Sequence, residues 1–307
     1  MASKQSRAVR DAYVAWHAAA TSGAERDDEA WGDLTAEPGG VDYLEADANG
    51  VPAIWAVPKD SAADRVIMAI HGGGYVGGSL YTHRKLYAHL AKAAGARALV
   101  VTYRHTPEHR WPAQVQDTTA AYRWLLDQGV EPARIAFAGD SAGGGLVLTT
   151  QLRARDLGLP LPAATMMISP WVDLEVASES FVTNRDKDPF FHKEMVHELV
   201  RMLLGGDGDP RDPRANPLYA DLTGFGPFSI QAGEDEGPRD DSHRLERHAR
   251  KAGVDVRLEV FPEMQHTFQM MAGRAPEADD AIRRLAEWVR PHLGLTPAVS
   301  AAGPRPR

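Results

Sequence analysis

The 307-residue chain contains no cysteine, which excludes disulfides, thiolate metal sites and a cysteine nucleophile together. It has no apolar run approaching the roughly 20 residues of a membrane span. Its first residues, broken by Lys4, Arg7, Arg10 and Asp11, hold no apolar stretch of the kind a secretory signal needs. Basic charge is also in deficit. With 34 basic and 42 acidic residues the formal net charge is −8, which argues against a nucleic-acid surface. No internal repeat and no low-complexity tract is visible. What is present is a globular composition, 43% hydrophobic, ample for a core of one large α/β domain or two smaller ones. The expectation is a soluble, cytoplasmic protein with neither a membrane nor a nucleic-acid partner.

Strand and helix signals alternate along most of the chain. Residues 3–20 place Val9, Tyr13 and Trp16 on one helical face, which Gly23 can end. Residues 41–44 and 54–57 read as two short strands around the turn Ala48-Asn49-Gly50. Residues 66–70 form a continuous apolar run, the mark of a strand buried on both faces. Helices follow at 86–93, ended by Gly95, and at 115–126, with strands at 98–102, 135–138, 163–168, 228–231 and 256–261. A helix marked by Leu245, Ala249 and Ala252 stops at Gly253, and a terminal helix opens at Pro276. Repeated βα units imply a doubly wound, mostly parallel sheet with an antiparallel start. About sixty residues between Ser169 and Phe228 break the alternation, and an insertion of that length is usually functional.

Gly139-Asp140-Ser141-Ala142-Gly143 follows the apolar run 135–138 and precedes a helix at 146–152. Such a G-x-S-x-G on a sharp strand-to-helix turn exposes a serine hydroxyl at the top of a sheet, beside N–H groups that can face an oxyanion. His71-Gly72-Gly73-Gly74-Tyr75 comes directly after the strand 66–70. Consecutive glycines there let backbone N–H groups approach a substrate and complete an oxyanion hole. Gly72, Gly74 and Gly77 also match the dinucleotide pattern G-x-G-x-x-G. That pattern needs an acid at the end of the next strand, which instead reads Val101-Thr102-Tyr103-Arg104, so no nucleotide cofactor is expected. Glu234, Asp235 and Glu236 follow the strand 228–231, and His266 follows 256–261. The order serine, acid, histidine, each after a strand, is that of an α/β-hydrolase, and it outweighs the bland reading of His266 as one of twelve histidines. His105 and His109 share no helix face, because Pro107 lies between them, and His243 and His248 are five apart, so no metal is expected.

With these motifs the sequence resembles the hormone-sensitive-lipase-like bacterial esterases, the branch with HGGG and GDSAGG. The likeness runs from about Val66 to Phe268. It includes Tyr103-Arg104-His105-Thr106-Pro107-Glu108-His109, where His105-Thr106 replaces the usual Leu-Ala, and Ser169-Pro170-Trp171-Val172-Asp173-Leu174. Asn216-Pro217-Leu218-Tyr219 and Phe261-Pro262-Glu263-Met264-Gln265-His266 also fit. The resemblance implies an α/β-hydrolase core over 41–175 and 214–295 and a helical cap from 1–40 and 176–213, while the last residues, 296–307, read as a disordered tail. It also implies a carboxylesterase without cofactor, with oxyanion donors at the N–H groups of Gly73, Gly74 and Ala142. Ser141 and His266 would be nucleophile and base. For the third position chemistry favours neither Asp235 nor Glu236. Alignment with similar esterases places Glu236, without a gap, where their D-P-L-x-D begins, its fifth position falling on Asp240. Phe190, Met195 and Met202 in the cap suggest short acyl chains, acetate to hexanoate. A deacetylase, amidase or lactone hydrolase on the same scaffold is the competing enzyme reading. A non-catalytic ligand-binding protein, as in the similar gibberellin receptors, would have lost the histidine that is present here as His266. The expected partner is a small-molecule ester, and a homodimer is left open.

Overall fold

The computed structural model describes residues 2–22 and 28–296. The helix stop expected at Gly23, and all but the first residue of the tail expected at 296–307, lie outside the described residues. Eight strands form one sheet: β1 (Val41–Asp47), β2 (Pro52–Pro58), β3 (Val66–Ile70), β4 (Arg97–Val101), β5 (Ile135–Asp140), β6 (Ala164–Ile168), β7 (Phe228–Gly233) and β8 (Val256–Phe261). Their order is β1-β2-β4-β3-β5-β6-β7-β8. β2 pairs antiparallel with both β1 and β4, and every pairing from β4 to β8 is parallel. This is the mostly parallel sheet expected from the alternating signals, antiparallel start included.

β3 is apolar at every position, and β5 from Ile135 to Ala138, because both faces of the sheet are covered. Val66, Met68 and Ile70 of β3 point into one core with Ile135 and Phe137 of β5. Ile67 and Ala69 point into the other with Ala136 and Ala138. The elements α2 (Leu80–Ala94) and α8 (Pro276–His292) cover the second face, after α1 (Lys4–Ser22) at the start of the chain. The first face carries α3 (Ala113–Asp127), α4 (Ala142–Asp156) and α7 (Arg239–Lys251). Ser79 opens α2 by accepting a hydrogen bond from the N–H of Thr82 while the Thr82 hydroxyl accepts one from the N–H of Ser79, and Gly95 closes the helix at φ +71°.

Two parts lie outside this layered frame. α1 places Val9 and Tyr13 in a small third core with Met264, Phe268 and Met271, directly against the chain that follows β8. Between β6 and β7 the insertion holds α5 (Ser180–Thr183) and α6 (Lys193–Leu204). α6 buries Val196, Leu199 and Leu203, a single stripe at helical spacing, against the main core. The polar stretch before β1 contains a 3-10 segment, Asp28–Leu34, whose Trp31 is buried among α2 and the sheet.

Candidate active site

Ser141 sits between β5 and α4 at φ +51°, ψ −120°, a conformation side chains rarely adopt. The turn can form only because its flanks lack side chains. A Cβ on Gly143 would lie 2.1 Å from the carbonyl oxygen of Ile70, and one on Gly139 would lie 2.3 Å from that of Gly143. Backbone bonds to the neighbouring strand hold the bend: Ser141 donates to Ile168 O (2.9 Å) and Trp171 donates to Ser141 O (3.0 Å).

The loops after β7 and β8 meet at this serine. His266 Nε2 is 2.9 Å from Ser141 Oγ, and Nδ1 is 2.7 Å from Glu236 Oε2. All three side chains are buried. Glu236 Oε1 also accepts from the N–H of Gly233 at 3.2 Å, which fixes the carboxylate plane. Burial by itself would push the imidazole toward neutrality, but the Glu236 carboxylate on Nδ1 outweighs it. The His266 pKa therefore stands above the ordinary histidine value. Asp235 points elsewhere, to Lys187 Nζ at 3.0 Å on the surface, and Glu234 is exposed. Asp240 accepts from the N–H of Ser180 (3.0 Å) at the foot of α7.

Two contacts that the sequence did not disclose hold the histidine. The Tyr13 hydroxyl of α1 donates to the carbonyl oxygen of His266 at 2.7 Å and lies 2.8 Å from Thr267 Oγ1. Phe191 of the insertion stacks on the imidazole, ring centres 4.6 Å apart and 23° from parallel. Their only sequence signal was position, Tyr13 on the apolar face of α1 and Phe191 beside Phe190, and neither says what it packs against.

Gly73 (φ +115°) and Gly74 (φ +62°) bring the loop after β3 up to the serine. Among the described residues the N–H groups of Gly73, Gly74 and Ala142 donate to no acceptor of the protein itself, so all three can serve an incoming oxygen. The loop is held from below by Asp140, the residue before the serine. Its carboxylate accepts from the N–H of Gly72 (3.0 Å) and the Tyr87 hydroxyl (2.6 Å), and lies 3.2 Å from His83 Nε2. Burial alone would raise this carboxyl, but His83 and the Tyr87 hydroxyl hold it below its ordinary value. His71 lies 2.7 Å from Gly72 O and 3.0 Å from Thr102 Oγ1, and burial beside His83 pushes it down to about 3. Neither His83 nor Tyr87 is singled out by the sequence: Tyr87 falls inside the helix expected at 86–93 and His83 before it, in the part of α2 that begins at Leu80. Among the described residues, no three acidic or histidine side chains are arranged to hold a metal ion, and no helix is long and apolar enough to cross a membrane.

The sequence profile of a family described as alpha/beta hydrolase fold matches residues 67–270. An acetyl-hydrolase of Streptomyces hygroscopicus is 39% identical over 270 residues, covering 88% of each chain. An esterase of Acinetobacter venetianus is 34% identical over 232 residues, 76% of this chain and 77% of its own. Among solved structures, an esterase from the bacterial hormone-sensitive lipase family superposes with a TM-score of 0.88 at 41% identity, covering 96% of this chain and all of that one. A buried serine on a strand-to-helix turn, reached by one histidine in a sheet of this order, is therefore housed in a chain that belongs to the α/β-hydrolase fold family, among its hormone-sensitive-lipase-like serine ester hydrolases.

Proposed function

We propose that the chain hydrolyses short-chain acyl esters through an acyl-enzyme, with Ser141 as nucleophile, His266 as base and Glu236 as the acid that orients it. The observation that carries this reading is the hydrogen-bonded series Ser141–His266–Glu236, ending beside three undonated N–H groups. His266 takes the Ser141 proton as Oγ attacks the ester carbonyl, and the oxyanion rests on the N–H groups of Gly73, Gly74 and Ala142. Each such donor is worth roughly 3 kcal/mol of barrier. The imidazolium then gives its proton to the leaving alkoxide. Water, activated by the same nitrogen, attacks the acyl-enzyme and releases the acid. Glu236 keeps Nδ1 protonated, leaving Nε2 as the acceptor. The described residues 2–22 and 28–40, with 176–213, form the cap over this site, and no cofactor takes part.

The acetyl-hydrolase among the relatives supports a small acyl group. It also keeps acetamides in view, since a deacetylase would use the same machinery. The test is a burst experiment with p-nitrophenyl acetate, acetanilide assayed beside it. A stoichiometric burst of nitrophenol that vanishes in Ser141→Ala is expected, with native circular dichroism, because a serine lost at a turn leaves almost no cavity. Activity within tenfold of wild type in Ser141→Ala would refute the assignment, and faster turnover of the anilide would make the enzyme an amidase.

A further inference from the structure

Asp188 takes no part in the steps just described, yet it is 1% exposed in an insertion otherwise rich in surface charge. One carboxylate oxygen accepts from the N–H groups of Phe190 and Phe191, both at 2.9 Å. These contacts alone would be a local turn, the commonest use of an aspartate in a loop. The other oxygen reaches across to the N–H of Gly237, at 2.7 Å, the residue directly after Glu236. Around it Asn184 Nδ2 donates to the carbonyl oxygens of Glu234 (2.8 Å) and Glu236 (2.9 Å). At the rim, Lys187 pairs with Asp235. Gly237 has no room to move toward the insertion, because a Cβ there would lie 2.6 Å from Phe191 O.

We propose that Asp188 is a positioning residue for the acid–base pair, tying the Glu236 loop and the Phe191 ring stacked on His266 into one rigid unit. The inference rests on Ser141, His266 and Glu236 acting as proposed above. A single carboxylate grips the N–H of Gly237, next to the acid, on one oxygen and those of Phe190 and of Phe191, which covers the base, on the other. Movement of the insertion is thereby coupled to the Glu236–His266 contact. Asp188 also adds a negative charge near the imidazole. The charged and titratable groups facing His266 are Glu236 from the loop after β7, Asp188 from the insertion and Asp140 from the end of β5. Tyr13 of α1 bonds its carbonyl, and the Tyr13 hydroxyl is itself held protonated by burial, with Asp188 adding to the effect. All three carboxylates favour the imidazolium, so losing one makes His266 easier to deprotonate.

The test compares kcat per burst-titrated site, and the acid limb of the kcat/KM profile, in wild type, Asp188→Asn, Asp188→Glu and Glu236→Gln. Asp188→Asn should lower kcat by about tenfold to a hundredfold with KM changed far less, as expected for a misplaced base. It should also move the acid limb to lower pH by about half a unit. Asp188→Glu keeps the charge and spoils the reach, so kcat falls while the limb stays. Wild-type kcat and an unmoved limb in both variants, with Glu236→Gln crippled, would overturn the positioning role and leave the triad intact. A fully active Glu236→Gln would instead overturn the triad reading beneath it. Should Asp188→Asn fail to fold, Asn184→Ala cuts the neighbouring tie without touching the charge. Its kcat should fall at least severalfold, and a wild-type value would refute the coupling.

Discussion

Asp235 and Glu236 are adjacent carboxylates of equal chemical competence, and their surroundings separate them. Glu236 is fully buried with one oxygen on His266, whereas Asp235 is partly exposed and paired with Lys187. Glu236→Gln should lower kcat by about a thousandfold or more, since the amide can present the wrong group to Nδ1. Asp235→Asn should cost less than about threefold, the usual consequence of losing an exposed ion pair. Parallel kcat measurements check the ranking, and its reversal would give the third role to Asp235. Ser141, the glycines and His266 could be found in the sequence because each belongs to a short motif next to a strand. Tyr13, Asn184 and Asp188 could not. The partners that tie them to the site, His266, the Glu236 backbone and Gly237, lie from about fifty to more than two hundred residues away, where no local pattern points.

Elements were legible in proportion to how apolar their buried faces are. β3 begins and ends where its apolar run does, β8 keeps the expected bounds 256–261 through its alternating Val256, Leu258 and Val260, and α8 opens at Pro276 as its fixed φ favours. α7 was read from Leu245 onward but begins at Arg239, because its first turns bury polar groups. Asp241 and Ser242 are fully buried there, so the apolar period is silent. α5 has only four residues, too few to show any period. The polar start of α7 has a measurable consequence. Asp241 accepts from the N–H groups of Val172 (3.2 Å) and Asp173 (3.1 Å) and from the Ser178 hydroxyl. Burial, together with the nearby Asp173 charge, pushes its carboxyl up to about 7. The folded chain then binds this proton more tightly than the unfolded one. Stability from Asp241 is present in full below its unfolded pKa near 4 and is lost as pH rises through about 7. Asp241→Asn, neutral at every pH, should gain on wild type between pH 5 and pH 8, by at least about 1 kcal/mol. Urea unfolding at the two pH values decides the matter, and a variant that loses ground between them would show that the ionised carboxylate is the favoured form.

At the scale of the molecule, the sheet carries Ser141 and His266 on loops at one edge, and α1 and the insertion pack against those loops. Ser141 and His266 are each 1% exposed, roofed by the insertion on one side and α1 on the other. The roof is close. Leu199 of α6 lies so near the glycine loop after β3 that a Cβ on Gly74 would come within 2.9 Å of its Cδ1. Phe191, Trp171 and Tyr75 form a continuous aromatic wall around the same corner, neighbouring ring centres 6.2 and 5.5 Å apart. Phe190, expected above the pocket, stacks on Tyr13 at 5.1 Å and so braces α1 against the insertion rather than presenting a flexible edge. A site so enclosed accommodates a small acyl group more readily than a long chain. Profiled over p-nitrophenyl esters, kcat/KM should be highest between acetate and hexanoate and fall for longer chains. Activity should rise with monomeric substrate concentration and show no jump at the onset of an emulsion. Leu199→Ala should move the optimum toward longer acyl groups, because it opens space beside Gly74. It should also lower stability by about 2–4 kcal/mol, since Leu199 is part of the main core. If Leu199→Ala is folded and keeps the wild-type chain-length profile, the acyl group lies elsewhere and α6 is only a roof. A rate jump on lipid emulsion would show that the roof opens at interfaces, and the short-chain reading would fall with it.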